Sequence, residues 1–111
     1  MAYGCGAAID RPGVVGQLTG GTVHGHGIAL TEALRHDGAG SPTAESLLQY
    51  RIPTAWDAPD VTVRIIESGR RAMPRGVKGA GEAGVVGTPA AIAAAVRDVL
   101  RRAGASPGQT A

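Results

Sequence analysis

Residues 75–89 read Arg75-Gly76-Val77-Lys78-Gly79-Ala80-Gly81-Glu82-Ala83-Gly84-Val85-Val86-Gly87-Thr88-Pro89. One residue in three of this segment is glycine, which lets a backbone turn through positive φ and approach another body closely. Its single acid, Glu82, is therefore displayed to a ligand. The loop amides and Lys78 can bind a phosphate or stabilise an anionic intermediate. We expect a ligand-binding loop with Glu82 as its reactive group.

Within this segment, residues 79–84 fit the pattern G-x-G-x-x-G. A dinucleotide-binding fingerprint also needs a strand before the glycines, a helix that opens among them and an acid about 20 residues further on. Residues 73–78 are a poor strand, and we expect no helix before Pro89. The sequence therefore disfavours a Rossmann half-domain.

The composition indicates a domain with little bulky packing material. The chain has 111 residues, which fits one domain, with 18 glycines, one tryptophan and no phenylalanine. Such a chain is more suited to packing against a larger body than to folding alone. Its abrupt start also suggests that it begins inside a domain.

Charge and hydropathy exclude several classes of partner. The net charge of +2 is spread along the chain, and no basic stripe is interleaved with aromatic residues, so nucleic-acid binding is not indicated. We find neither a signal peptide nor an apolar run that would span a bilayer. Cys5 is the single cysteine and is expected to be a small buried residue in a reducing compartment. These features predict a cytoplasmic protein.

Two helices dominate the predicted fold. Residues 14–35 have apolar positions near helical spacing, and His36 is expected to close that helix. Its internal glycines each cost about 0.5–1 kcal/mol relative to alanine, so we expect compensation by the close approach of a cofactor or a neighbouring element. The second helix is predicted to start with Thr88 as N-cap and Pro89 as first residue, and to stop at Gly104.

Short strands complete an α+β fold with a small mixed sheet. We expect strands near the N-terminus and over residues 46–52 and 61–67, with Trp56 at the edge of the core. Residues 1–103 are assigned to one domain and residues 104–111 to a flexible tail. His24 and His26 lie two positions apart, with no acid or cysteine at ligand spacing, so no protein-bound metal site is predicted.

In order and spacing, several motifs resemble the molybdenum-cofactor-binding large subunit of the xanthine dehydrogenase and aldehyde oxidase family, the molybdenum hydroxylases. The similarity covers about residues 3–100 and would make this chain the C-terminal part of the molybdopterin-binding domain. The motifs lie at residues 3–12, 16–21, 25–30, 50–54, 57–59, 76–82 and 89–93.

The resemblance implies a catalytic residue and a cofactor. Glu82 is similar to the family's catalytic glutamate, a general base that activates the attacking oxygen. His24 replaces a family glutamine that hydrogen-bonds the molybdenum centre. The cofactor would be molybdopterin or its cytosine dinucleotide form, with iron–sulfur clusters and FAD on partner chains or domains. The expected cofactor-binding residues are Gly20, Gly21, His24, Lys78, Gly79, Ala80 and Gly81.

The expected function is therefore part of an oxidoreductase that hydroxylates an aldehyde or N-heterocycle with oxygen from water. Family members are several times longer, so we expect no activity without the remainder of the large subunit. A truncated gene, a complementing fragment and an inactive relic all fit the length. The alternative is a small non-enzymatic module in which the glycine loop and Lys78 bind a phosphate-bearing ligand.

Overall fold

The computed structural model describes residues 1–68 and 74–105. Two short strands, β1 (Ala2–Tyr3) and β2 (Arg64–Ile65), pair in parallel, with Ala2 opposite Arg64 and Tyr3 opposite Ile65. The helices are α1 (Arg11–Leu30) and α2 (Ala83–Arg102), and a short 3-10 turn spans Pro74–Gly76. This confirms an α+β fold with two main helices. The sheet is parallel, and one antiparallel bridge between Gly6 and Val77 lies beyond it.

Helix α1 is displaced towards the N-terminus relative to the prediction. The side chain of Asp10 caps it by accepting a hydrogen bond from the amide of Gly13 at 3.0 Å. The helix ends at Leu30 because the carbonyl of Gly27 accepts bonds from the amides of both Thr31 and Glu32. His36 therefore does not close the helix, and it forms an isolated bridge with Pro42 instead.

Helices α1 and α2 contact each other through backbone rather than through large side chains. A Cβ atom on Gly21 would lie 2.9 Å from the Cα of Gly84, and one on Gly25 would lie 2.7 Å from the Cβ of Thr88. Leu18 is fully buried at this crossing. Close approach brings many atoms into van der Waals range, which offsets the poor helix propensity of glycine. The predicted compensation for the α1 glycines is confirmed at Gly21 and Gly25.

The predicted start of α2 is wrong. The helix begins at Ala83 with Glu82 in the N-cap position, and Pro89 lies inside it. The hydroxyl of Thr88 donates to the carbonyl of Gly84 at 2.6 Å rather than capping a helix. Packing against α1 stabilises the turns before Pro89. The predicted stop is confirmed, because α2 ends at Arg102 and Gly104 follows with φ of 79°.

The predicted strand at residues 46–52 is wrong, and the one at 61–67 is shortened to β2. Residues 46–50 form a turn in which the amides of Gln49 and Tyr50 both donate to the carbonyl of Ser46. Trp56 is 97% exposed and does not cover a core edge. In the predicted tail, Gly104 and Ala105 complete the helix end, whereas residues 106–111 lie outside the described residues.

The fold leaves much apolar surface uncovered. Its accessible surface is 8257 Å², against roughly 5,700 Å² for a compact monomer of this mass. The radius of gyration is 18.0 Å, against about 13 Å for a compact domain of this length. Among the described residues, only Cys5 and Leu18 are buried hydrophobic side chains. The burial of Cys5 confirms its predicted packing role.

Helix α2 bears on the prediction that no segment would span a bilayer. Within residues 1–68 and 74–105, it is the one helix whose length and composition would suffice to cross a membrane, with a mean hydropathy of 1.4 over its most apolar window. A single helix of this kind is weak evidence for a membrane span, because core helices of soluble proteins have the same composition.

Candidate functional site

Glu82 stands where the glycine loop meets α2. It is exposed, and its side chain makes no capping hydrogen bond to the helix. Its carbonyl accepts bonds from the amides of Val85 and Val86 at 3.1 and 3.3 Å, so the first turn of α2 fixes its backbone. The backbone of Glu82 is therefore held at a defined place, and its carboxylate is exposed to a ligand.

A pocket of about 290 Å³ lies between α1 and the Glu82 loop. Five of the predicted site residues line it: Gly20, Gly21, His24, Gly81 and Glu82. The pocket thus brings together a carboxylate, an imidazole and a wall of bare backbone from segments about sixty residues apart.

The pocket walls contain glycines that this chain does not need for its own packing. A Cβ atom on Gly16, Gly20 or Gly81 would meet no other atom within 4 Å. In α1 each such glycine costs about 0.5–1 kcal/mol relative to alanine. These residues keep the pocket wall free of side chains.

The structure places Lys78 and Ala80 in a second, larger pocket. This pocket has a volume of about 460 Å³ and also includes Asp10, near the start of α1. Gln17 lines both pockets. Gly79 lines neither of these two pockets, and its carbonyl accepts a hydrogen bond from the hydroxyl of Tyr3. Apart from Gly79, the predicted cofactor-binding residues are therefore divided between two neighbouring cavities.

The sequence interpretation missed Gly16, Gln17 and Val85 as lining residues of the Glu82 pocket. For Gly16 and Gln17, helical spacing could have predicted this position. Gly16 lies four residues before Gly20, and Gln17 lies seven before His24, so each pair shares a helix face.

In the described part of the chain, hydrogen bonds shift the pKa values of three residues, all outside the two pockets beside the Glu82 loop. The amide of Ala8 and then the guanidinium of Arg11 lower the pKa of Glu67. The hydroxyl and then the amide of Thr54 lower the pKa of Asp57. The hydrogen bond from Tyr50 to Glu32 raises the pKa of the Tyr50 phenol.

Protein side chains alone do not form a metal centre in the described part of the chain. No group of three or more histidine, cysteine, aspartate or glutamate side chains is clustered at residues 1–68 and 74–105. His24 is exposed on the Glu82 pocket, while His26 is half-buried and lines neither pocket beside the Glu82 loop.

The fold and the glycine-walled pocket define part of a cofactor-binding domain, and comparison with known proteins identifies its family. The family described as "Molybdopterin cofactor-binding domain" matches residues 1–59. The chain belongs to this family and, within it, to the molybdenum hydroxylases.

Individual relatives match almost the whole chain. Over 96 residues it is 42% identical to the nicotine 6-hydroxylase large subunit of Paenarthrobacter nicotinovorans, covering 86% of this chain and 12% of the relative. It is 32% identical over 95 residues to the probable hypoxanthine oxidase XdhD of Escherichia coli K12, and this match covers 85% of this chain and 10% of the relative. The chain therefore spans about an eighth or less of the length of these relatives.

Solved structures show the same fold. Quinoline 2-oxidoreductase from Pseudomonas putida 86 matches 91% of this chain, over 13% of its own length, with a TM-score of 0.84 and 37% identity. The Cu,Mo-CO dehydrogenase also matches 91% of this chain, over 13% of its own length, with a TM-score of 0.84 and 27% identity.

Proposed function

We propose that this chain forms part of the catalytic region of a molybdenum-pterin oxidoreductase that hydroxylates an N-heterocycle or an aldehyde with oxygen from water. The observation that carries the proposal is the single pocket that Glu82 and His24 line together with Gly16, Gly20, Gly21 and Gly81. The names of three relatives, which refer to nicotine, hypoxanthine and quinoline, favour an N-heterocycle over an aldehyde.

The residues of the pocket fit a bulky planar cofactor. Gly16, Gly20 and Gly81 would lie against it without side chains, and His24 offers an imidazole N–H as a hydrogen-bond donor. When bound, the molybdenum-pterin group supplies the two-electron oxidation chemistry. Its dinucleotide form would extend beyond this pocket, and Lys78 in the adjoining cavity is suited to its phosphates.

Within this pocket, Glu82 acts as the general base. Its carboxylate is exposed and makes no capping bond to its own helix, so it is available to accept a proton from the attacking oxygen. A positioned base of this kind typically contributes about 10²–10⁴ in rate.

The chain would function only with further polypeptide around it. Its accessible surface of 8257 Å² exceeds the roughly 5,700 Å² of a compact monomer of this mass, and large apolar side chains such as Leu48 and Trp56 are almost fully exposed. The remainder of a molybdopterin-binding subunit would cover this surface. Relatives are named as a large subunit and as a subunit of a dehydrogenase complex, which supports iron–sulfur and FAD partners, and we propose a cytoplasmic location.

Glu82→Gln tests the proposed base because it keeps the shape of the side chain and removes the acceptor of the proton. In the protein assembled with the remainder of its subunit, substrate oxidation should fall by about 10²–10⁴ while molybdenum content, measured by elemental analysis, stays constant. Glu45→Gln, a change at an exposed acid outside both pockets, is the control. Unchanged turnover in Glu82→Gln would remove Glu82 from the mechanism.

The alternative function, a phosphate-binding module, is supported by the separate cavity of Lys78. Titration of the chain alone with inorganic phosphate and with ATP distinguishes this module from the proposed oxidoreductase. The module is favoured if the chain alone binds phosphate or ATP tightly, if Lys78→Met loses this binding, and if the assembled protein contains no molybdenum.

A further inference from the structure

The loop that carries Glu82 is attached to the N-terminal segment by a ladder of backbone hydrogen bonds. The amide of Ala7 donates to the carbonyl of Gly76 at 2.9 Å, and the amide of Lys78 donates to the carbonyl of Cys5 at 2.8 Å. Gly6 has φ of 67°, and a Cβ atom there would overlap the carbonyl oxygen of Gly76. This ladder fixes the loop as far as Lys78.

Beyond Lys78, a side chain continues the attachment. The hydroxyl of Tyr3 donates to the carbonyl of Gly79 at 2.5 Å, across 76 positions of sequence. Tyr3 is itself fixed in β1, where it lies opposite Ile65 and its carbonyl accepts a bond from the amide of Ile66 at 2.8 Å. The bond therefore connects the sheet directly to the loop.

Ala80 and Gly81 then connect this anchor to Glu82. Within the described residues, neither of them takes part in a hydrogen bond. Glu82 is fixed again by the first turn of α2. The path of the loop into the pocket is therefore set at two ends, by Tyr3 at Gly79 and by α2 at Glu82.

We infer that Tyr3 is a positioning residue for Glu82: its hydroxyl fixes the Gly79 carbonyl and thereby the direction from which the carboxylate enters the pocket. This inference rests on the proposed function for its effect on turnover, whereas the attachment of the loop does not. Small displacements of a catalytic group lower the rate strongly, so a single neutral hydrogen bond can matter here.

The chain offers a matched pair of substitutions, because its two tyrosines both donate hydrogen bonds. Tyr3→Phe removes the bond to Gly79, and Tyr50→Phe removes a bond to Glu32 that lies outside both pockets beside the loop. Both changes keep the aromatic ring. Both variants lose one phenol hydroxyl, so a difference in their properties comes from the lost bond between Tyr3 and the glycine loop.

Hydrogen exchange in the assembled protein, followed by mass spectrometry, measures the attachment without turnover. In Tyr3→Phe, peptides that cover residues 76–82 should exchange about 2- to 12-fold faster, the range expected for one neutral hydrogen bond, while peptides from α1 keep their rate. Tyr50→Phe should leave residues 76–82 unchanged. Unchanged exchange in Tyr3→Phe, or equal acceleration in both variants, would overturn the inference.

Steady-state kinetics of the same proteins measure the consequence. Tyr3→Phe should lower kcat several-fold with little change in KM or in molybdenum content, since binding is retained while the base is less well placed. A change confined to KM would contradict the positioning role. If Glu82→Gln keeps full turnover, the base is wrong, but accelerated exchange in Tyr3→Phe would still establish the anchor.

Discussion

A Cβ atom on Gly21 would lie 2.9 Å from the Cα of Gly84, so α1 and α2 meet backbone to backbone. This contact sets the distance between the helix that carries His24 and the helix that begins directly after Glu82. The width of the Glu82 pocket therefore depends on two residues that have no side chain.

Gly21→Ala should destabilise the protein by about 1–3 kcal/mol, because the added methyl group overlaps the backbone of α2. The matched control is Gly16→Ala in the same helix, where a Cβ atom meets open space. That change should stabilise by about 0.5–1 kcal/mol through helix propensity. Urea unfolding measures both, and a neutral Gly21→Ala would contradict the close contact.

Gly20→Ala separates folding from cofactor binding. A Cβ atom there meets nothing within 4 Å, so the fold should persist, but the methyl group stands on the wall of the Glu82 pocket. We expect lower molybdenum content in the assembled protein, measured by elemental analysis. Gly87→Ala, in α2 and outside this pocket, also meets open space and should leave molybdenum content unchanged. Equal content in both variants would refute a cofactor on this wall.

His24→Gln should preserve molybdenum content, since an amide retains an N–H donor at the pocket. His24→Leu lacks any donor and should reduce the content or the turnover. Elemental analysis and steady-state rates of the two variants decide whether hydrogen bonding from this position matters. If both variants behave alike, the side chain contributes shape only.

The pKa of Glu67 predicts how stability changes with pH. Its carboxylate accepts bonds from the amide of Ala8 and from Arg11, which hold its pKa below the usual 4.5. A lowered pKa in the folded state gives stability that is present above pH 4.5 and is lost as pH falls through the folded value.

The variant Glu67→Gln should therefore be less stable than the wild type near neutral pH, and the difference should vanish in acid. Thermal unfolding from pH 7 to pH 3 tests this. Glu45→Gln should parallel the wild type throughout. A constant difference across this range would show that the loss does not come from titration of Glu67.

The sequence predicted the parts of the fold that local chemistry decides. Glycine at 104 ends α2 as expected, and the glycines of α1 correctly indicated a close neighbour. The start of α2 was missed because Thr88 and Pro89 have the local chemistry of a helix start, whereas packing of Gly84 against α1 extends the helix back to Ala83. Residues 46–52 alternate like a strand but pair with no strand among the described residues.

The site was predictable in part for the same reason. The bare loop pointed to Glu82 from composition alone, and the helical glycines pointed to a close approach. One pocket contains Gly20, Gly21, His24 and Glu82, whereas Lys78 lines the neighbouring pocket. This arrangement depends on how the two helices cross. Local sequence carries no information about that crossing, and Tyr3 had no signal because its partner is a backbone carbonyl.

The anchor of the glycine loop also has a consequence for synthesis on the ribosome. Cys5 and its neighbours emerge some seventy residues before Lys78, whose amide bonds to the Cys5 carbonyl. That hydrogen bond can therefore form only after Lys78 has been translated, whereas Cys5, which is only 2% exposed once folded, emerges earlier. Alkylation of the Cys5 thiol in stalled translation intermediates would time its burial relative to the synthesis of Lys78.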